Sequence, residues 1–308
     1  MAKRRPLKSL FLGDSFTVGT GLGKGLERQA FPFQLMERLR EVELRLRKPK
    51  LYAVDGHTTT HLLGALDTAE PQSNPEDPNH RKGDYDLVVL SIGVNDFFRG
   101  MSVEHYKHHF RELLRRAIRF AKDDRSRVVV LSIPAWDASP SVHGKGGLKF
   151  RQGKYALVRQ RMRSIGVAIR NLRISSRTVT VSKNAHTVQR QIKAARAYNR
   201  QTGIAAGIDS FNRAARGVIR EINKEPSKRN REGVQYVDLT KMTRQEATVN
   251  GAPDPNLFAK DGIHYSGLMY EGWADAVSGV AQKALRKISA NSAGRKIVAE
   301  YVRRGRAL

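Results

Sequence analysis

Short apolar runs alternate along this chain with stretches whose apolar residues recur every three or four positions. Residues 7–12, 50–54, 87–92, 127–133 and 234–237 are the runs, and their length and β-branched content predict strands. Between them the helical period appears. Residues 33–46 put Leu35, Met36, Leu39 and Val42 on one side, and Pro49 lies beyond the end. Residues 103–121 do the same with Phe110, Leu113, Leu114, Ala117 and Ile118, and residues 207–225 with Ile208, Phe211, Ala215, Val218 and Ile222. Thr58 is placed to cap a helix through Leu62, Leu63 and Leu66, and residues 266–288 predict a last helix packing back on the strands. Residues 69–84, rich in Pro, Asn and charge, read as a surface loop. Alternating strand and helix predict an α/β fold around a parallel sheet.

Polar residues gather where the predicted strands stop. Ser15 follows the first, in Gly13-Asp14-Ser15; Gly56 follows the second; Gly93-Val94-Asn95-Asp96 follows the third. The carboxyl ends of parallel strands are where such sheets place reactive groups. A serine hydroxyl needs a base, and His264 in Asp261-Gly262-Ile263-His264 is the candidate. Asp261, three residues earlier, is close enough to fix the ring tautomer. Alone, each motif is weak: Gly-Asp-Ser is a common turn, and an Asp–His pair can simply bond locally within a loop.

Taken in order, these blocks resemble the SGNH hydrolases, also called GDSL-type esterases and lipases. Gly13-Asp14-Ser15 stands for the first family block, Gly56 for the second, Gly93-Val94-Asn95-Asp96 for the third and Asp261-Gly262-Ile263-His264 for the last. The resemblance implies a doubly wound five-stranded parallel sheet flanked by helices, a flavodoxin-like three-layer sandwich. It implies a serine ester hydrolase working through an acyl-enzyme, with Ser15, Asp261 and His264 catalytic. The N–H groups of Ser15 and Gly56 and the amide of Asn95 would form the oxyanion hole. No cofactor or metal is implied, and the substrate would be a small ester or an acylated glycan or lipid. The hydrolase domain would comprise residues 1–144 and 203–290, interrupted by a basic insertion at 145–202 and followed by a basic tail at 291–308 with a mobile end. Trp136 and the segment to His143 would wall the substrate cleft.

Charge adds a second theme. The chain has 308 residues, is 40% hydrophobic and carries a net charge of +27. Such a charge governs what adheres to the surface rather than the fold. Residues 138–208 contain no Asp or Glu, while Lys and Arg recur throughout. Val179 and Val181 hint at a short strand there, and residues 188–198 at a basic helix. Two accounts compete for this insertion: a solvated lid, or a module that binds a polyanion such as RNA or an acidic polymer. Its few aromatics, Phe150, Tyr155 and Tyr198, favour backbone electrostatics over base stacking. An RNA-binding or ribosome-associated protein built on this fold is therefore the alternative to an esterase. A phospholipase is a third reading, with no exposed apolar anchor evident in the sequence.

Other features exclude or bound. There is no cysteine, which removes disulfides and thiolate chemistry. The glycine-rich run 19–25 lacks the Lys-Ser/Thr ending of a phosphate loop and reads as a loop beside Ser15. His57 and His61 have no third ligand nearby and read as exposed, as do His105, His108 and His109. No apolar run is long enough to span a bilayer. The run after the basic start is too short for a signal peptide and leads into the serine block, so a cytoplasmic location is expected.

Overall fold

The computed structural model describes residues 5–69, 85–143, 184–226, 232–249 and 252–305. Five parallel strands form one sheet: β1 (Ser9–Gly13), β2 (Lys50–Ala53), β3 (Leu87–Ser91), β4 (Val128–Leu131) and β5 (Gln235–Val237), in the spatial order β2-β1-β3-β4-β5. Every residue of β1, β3 and β4 is buried. Parallel strands covered on both faces read as unbroken apolar runs, and that is why the sequence discloses them. The edge strands β2 and β5 are only partly buried.

The helices follow in chain order: α1 (Ser15–Val18), α2 (Phe31–Glu41), α3 (Thr59–Ala69), α4 (Val94–Phe98), α5 (Val103–Phe120), α6 (Pro140–His143), α7 (Asn184–Lys224), α8 (Leu239–Glu246) and α9 (Gly267–Gly305). Helix α9 packs on α2, and α5 packs on both α3 and α7, giving a three-layer α/β sandwich. Ser102 caps α5 by accepting from the N–H of His105 at 3.1 Å, and Phe110, Leu113, Leu114 and Ala117 form its buried stripe.

Two helices differ from expectation. The helix expected over 207–225 is the second half of α7, which is broken at Gly203 (φ 77°). The last helix does not stop near 288 but runs to Gly305, so most of the expected tail continues α9. Charged residues carry no stop signal, no Pro falls in 289–304, and Gly294 is carried within the helix instead of ending it. Residues 70–84, 145–183 and 306–308, with the hinted strand at 179–181, lie outside the described residues. No helix among those described is long and apolar enough to cross a membrane.

Candidate active site

The sheet brings three of the candidate residues to one edge. Gly13 pairs in register with Ala53 on one side and Ser91 on the other. Ser15, Gly56 and Asn95 thus lie two, three and four residues beyond aligned positions on adjacent strands, which stand about 4.8 Å apart. The chain order reverses between β1 and β3, the point where open α/β sheets leave a crevice.

Ser15 opens α1 and is 4% exposed. Asp14 caps this short helix, its carboxylate accepting from the N–H of Phe16 at 3.1 Å. Burial drives the Asp14 carboxyl up to about 8, opposed by that N–H and assisted by the charges of Asp96 and Asp55. The Ser15 N–H belongs to the first helical turn, where backbone donors lack intrahelical partners. The Ser15 hydroxyl makes no hydrogen bond among the described residues, to His264 or otherwise. The link is the next side chain: the Phe16 ring stands 5.3 Å from the imidazole of His264.

His264 is bound to Asp261. Its Nδ1 lies 2.6 Å from one carboxylate oxygen, and the other accepts the N–H groups of Ile263 and His264, both at 2.9 Å. Burial pushes Asp261 up, but the bonds to the His264 ring and to the two backbone N–H groups prevail and hold it down at about 2. A carboxylate charged at all ordinary pH therefore occupies Nδ1, leaving Nε2 for proton transfer. The loop is braced from three sides. Ala259 N–H donates to His264 O at 2.7 Å, and the Ser141 hydroxyl and N–H donate to the carbonyls of Asp261 and Gly262 at 3.2 and 3.1 Å. The glycine-rich run closes the third side. At Gly21, φ is 92°, and a Cβ there would lie 2.9 Å from the Ala259 Cβ and 3.2 Å from both Asp261 Oδ2 and the His264 Cβ. That contact was invisible in the sequence, where the run reads only as a loop.

Gly56 is buried with φ 76°, a conformation that side chains other than glycine adopt at a cost. Asn95 Nδ2 donates to His57 O at 2.9 Å, and Arg99 Nη2 donates to Gly56 O at 2.7 Å. Asp96 accepts from Thr59 N at 2.9 Å and Thr59 Oγ1 at 2.5 Å, capping α3 from outside. Burial raises Asp96 to about 6 against the Thr59 bonds. Asp96 sits in the third motif, yet only the fold shows its partner; Arg99 carried no signal at all.

Two expectations change. Trp136 is not a cleft wall: it is 7% exposed and packs on Phe98 in the core. The following segment does reach the site, through Ser141. His57 is half-buried rather than exposed, whereas His61 is exposed as expected and bonds back to Thr58, whose hydroxyl accepts the His61 N–H at 3.3 Å. The large apolar side chains exposed among the described residues are Val18, Leu26, Val54 and Leu268. Among the described residues no group of three His, Cys, Asp or Glu side chains could hold a metal ion.

The model of one family, described as the GDSL-like Lipase/Acylhydrolase family, matches residues 11–271. Among solved structures, TesA aligns with a TM-score of 0.51 at 15% identity, covering 90% of this chain and 99% of TesA. The lipase/acylhydrolase from Enterococcus faecalis aligns at 0.48 and 16% identity, covering 91% of this chain and 96% of its own. The psychrotrophic esterase EstA from Pseudoalteromonas sp. gives 0.49 and 13%, covering 91% and 99%. At such identities the likeness to TesA speaks for the fold alone. No curated protein matches the sequence.

Proposed function

This chain belongs to the GDSL-like lipase/acylhydrolase family, and on that premise we propose that it is a serine ester hydrolase acting through an acyl-enzyme at Ser15. The ester carbonyl enters beside α1, and the Ser15 oxygen attacks its carbon while His264 Nε2 removes the hydroxyl proton. Asp261, fixed on Nδ1, stabilises the imidazolium that forms. The negative oxygen meets the N–H of Ser15, the N–H of Gly56 and the amide of Asn95, which are set before the charge develops. Collapse breaks the bond to the alcohol oxygen, which leaves with the proton from His264. Water, deprotonated by the same imidazole, then attacks the acyl carbon and returns Ser15.

The observation that carries this reading is the Asp261–His264 pair, bonded at 2.6 Å and lying against Phe16, the neighbour of Ser15. Apo sites often hold catalytic hydrogen bonds longer than the reacting complex does. The Ser15–His264 bond accordingly forms when substrate fills the crevice. The test is hydrolysis of p-nitrophenyl acetate and butyrate. The wild type turns over, and Ser15→Ala loses on the order of 10⁶-fold in kcat, keeping only the residual catalysis that the oxyanion donors and binding supply. Equal rates for the two proteins would overturn the proposal.

A further inference from the structure

The helix that presents Asn95 also grips the turn that carries Gly56. From α4 and the residue capping it, Asn95 holds His57 O, Asp96 holds Thr59 N and Oγ1, and Arg99 holds Gly56 O. Three side chains within five residues thereby fix four polar groups of residues 56–59. Asn95 and Asp96 belong to the third motif. Arg99 belongs to none of the roles assigned so far.

Its setting is unfavourable for an arginine without a task. The side chain is part-buried, its Nε is buried with no hydrogen-bond partner, and burial lowers its pKa against the pull of Asp96. A guanidinium stays protonated even so, and withdrawing it from water is unfavourable unless it is well bonded. The bond it makes, 2.7 Å to Gly56 O, is short and charge-assisted. Gly56 itself, at φ 76°, is the one residue of the turn with the widest choice of conformations. The Gly56 carbonyl lies in the peptide that follows its Cα, and the N–H in the peptide that precedes it. Arg99, together with the His57 N–H bond to Val54 O at 3.2 Å, holds the 56–57 peptide and so limits the φ and ψ changes through which the preceding peptide, with its N–H, could turn.

We propose that Arg99 is a positioning residue of the oxyanion hole: it clamps the Gly56 carbonyl so that the Gly56 N–H is fixed toward the reacting carbonyl. The inference rests on the hydrolase reading above, in which that N–H receives the oxyanion. Misplacement of a donor by about 1 Å is enough to cost on the order of 100-fold in rate. A donor that acts in the transition state changes kcat rather than KM.

The experiment compares the wild type, Arg99→Met and Arg99→Lys in the full chain. It measures kcat and KM on p-nitrophenyl acetate, thermal unfolding, and amide hydrogen exchange of the peptide spanning residues 54–58. Arg99→Met is expected to lose about 10- to 100-fold in kcat with KM within about twofold. Exchange at 54–58 should accelerate while the rest of the sheet stays protected. Arg99→Lys, which keeps one charged donor, should recover part of both. If Arg99→Met does not fold, Arg99→Gln takes its place. Unchanged kcat in a Ser15-dependent enzyme would overturn the role of Arg99 alone, as would unchanged exchange at 54–58. A wild type that hydrolyses no ester, with exchange still accelerated in Arg99→Met, would overturn the hydrolase reading and leave only the clamp.

Discussion

Asn95 has two tasks under the proposed mechanism. One N–H of its amide holds His57 O at 2.9 Å, and the other is the one proposed to receive the oxyanion. Asn95→Ala should therefore lower kcat by about 100- to 1,000-fold, the range for loss of one oxyanion donor. Unaltered turnover would remove Asn95 from the mechanism. Asp14 and Asp261 make opposite predictions about pH. Asp14 is raised from its ordinary 3.8 to about 8 by burial. Between those values the folded protein binds a proton that the unfolded chain has released, so this group's stabilisation is complete below pH 3.8 and is lost as pH rises through 8. Asp14→Asn, which keeps an acceptor for Phe16 N–H, should flatten the fall in melting temperature between pH 5 and 8. Asp261, held down at about 2 despite its burial, contributes above pH 3.8 and loses that contribution as pH falls toward 2. Asp261→Asn should remove part of the acid-side loss. Melting curves across pH that coincide with the wild type for both variants would contradict these assignments.

At the scale of elements, the site depends on an aromatic cluster behind it. Phe16 from α1 meets Tyr265 at 5.5 Å and Trp273 of α9 at 6.1 Å between ring centroids, and Trp273 also meets Phe31 of α2 at 6.1 Å. Trp273 is 1% exposed. Such aromatic pairs contribute about 0.5–1.5 kcal/mol each beyond their burial. Trp273→Ala should cost about 3–5 kcal/mol in chemical denaturation, and activity should fall further than unfolding explains, because Phe16 loses its backing beneath His264. A second element depends on a side-chain lock: Asn212 of α7 accepts from Ile133 N at 2.9 Å and donates to Ile133 O and to Thr240 Oγ1, tying the end of β4 to α8. The strands and the amphipathic helices were legible because burial on one or both faces writes its period into the residues. The true end of α9 was not, since a charged helical extension and a charged tail have the same composition.

At the scale of the whole molecule, the +27 charge has not been absorbed by the site. Several described cations are matched: Arg115 with Glu225, Arg116 with Asp67 and Glu112, and Arg244 with Asp137 and Asp209. The acid-free residues 138–208 have no such local partners in sequence. We propose that this stretch gives the protein affinity for polyanions in addition to its hydrolase site. Binding to heparin and to a mixed-sequence RNA should weaken steeply and linearly on a log–log plot against salt, as release of counterions requires. Removing residues 145–202 should flatten the slope. A slope near zero in the full chain would overturn the idea, and equal binding after the deletion would move it to another surface.

By itself the sequence determined the class of fold, the strands, and which residues are candidates for the site, because periodic burial and short polar motifs are local properties of a chain. It also held the order of the blocks from Ser15 to His264. Only the tertiary structure decided what those blocks touch. Parallel pairing in register set Ser15, Gly56 and Asn95 side by side; close packing put Gly21 on the Asp261–His264 pair, Trp136 in the core and Arg99 on the Gly56 carbonyl. Contacts between residues far apart in the chain depend on how separate elements come together, and no spacing in the sequence records that.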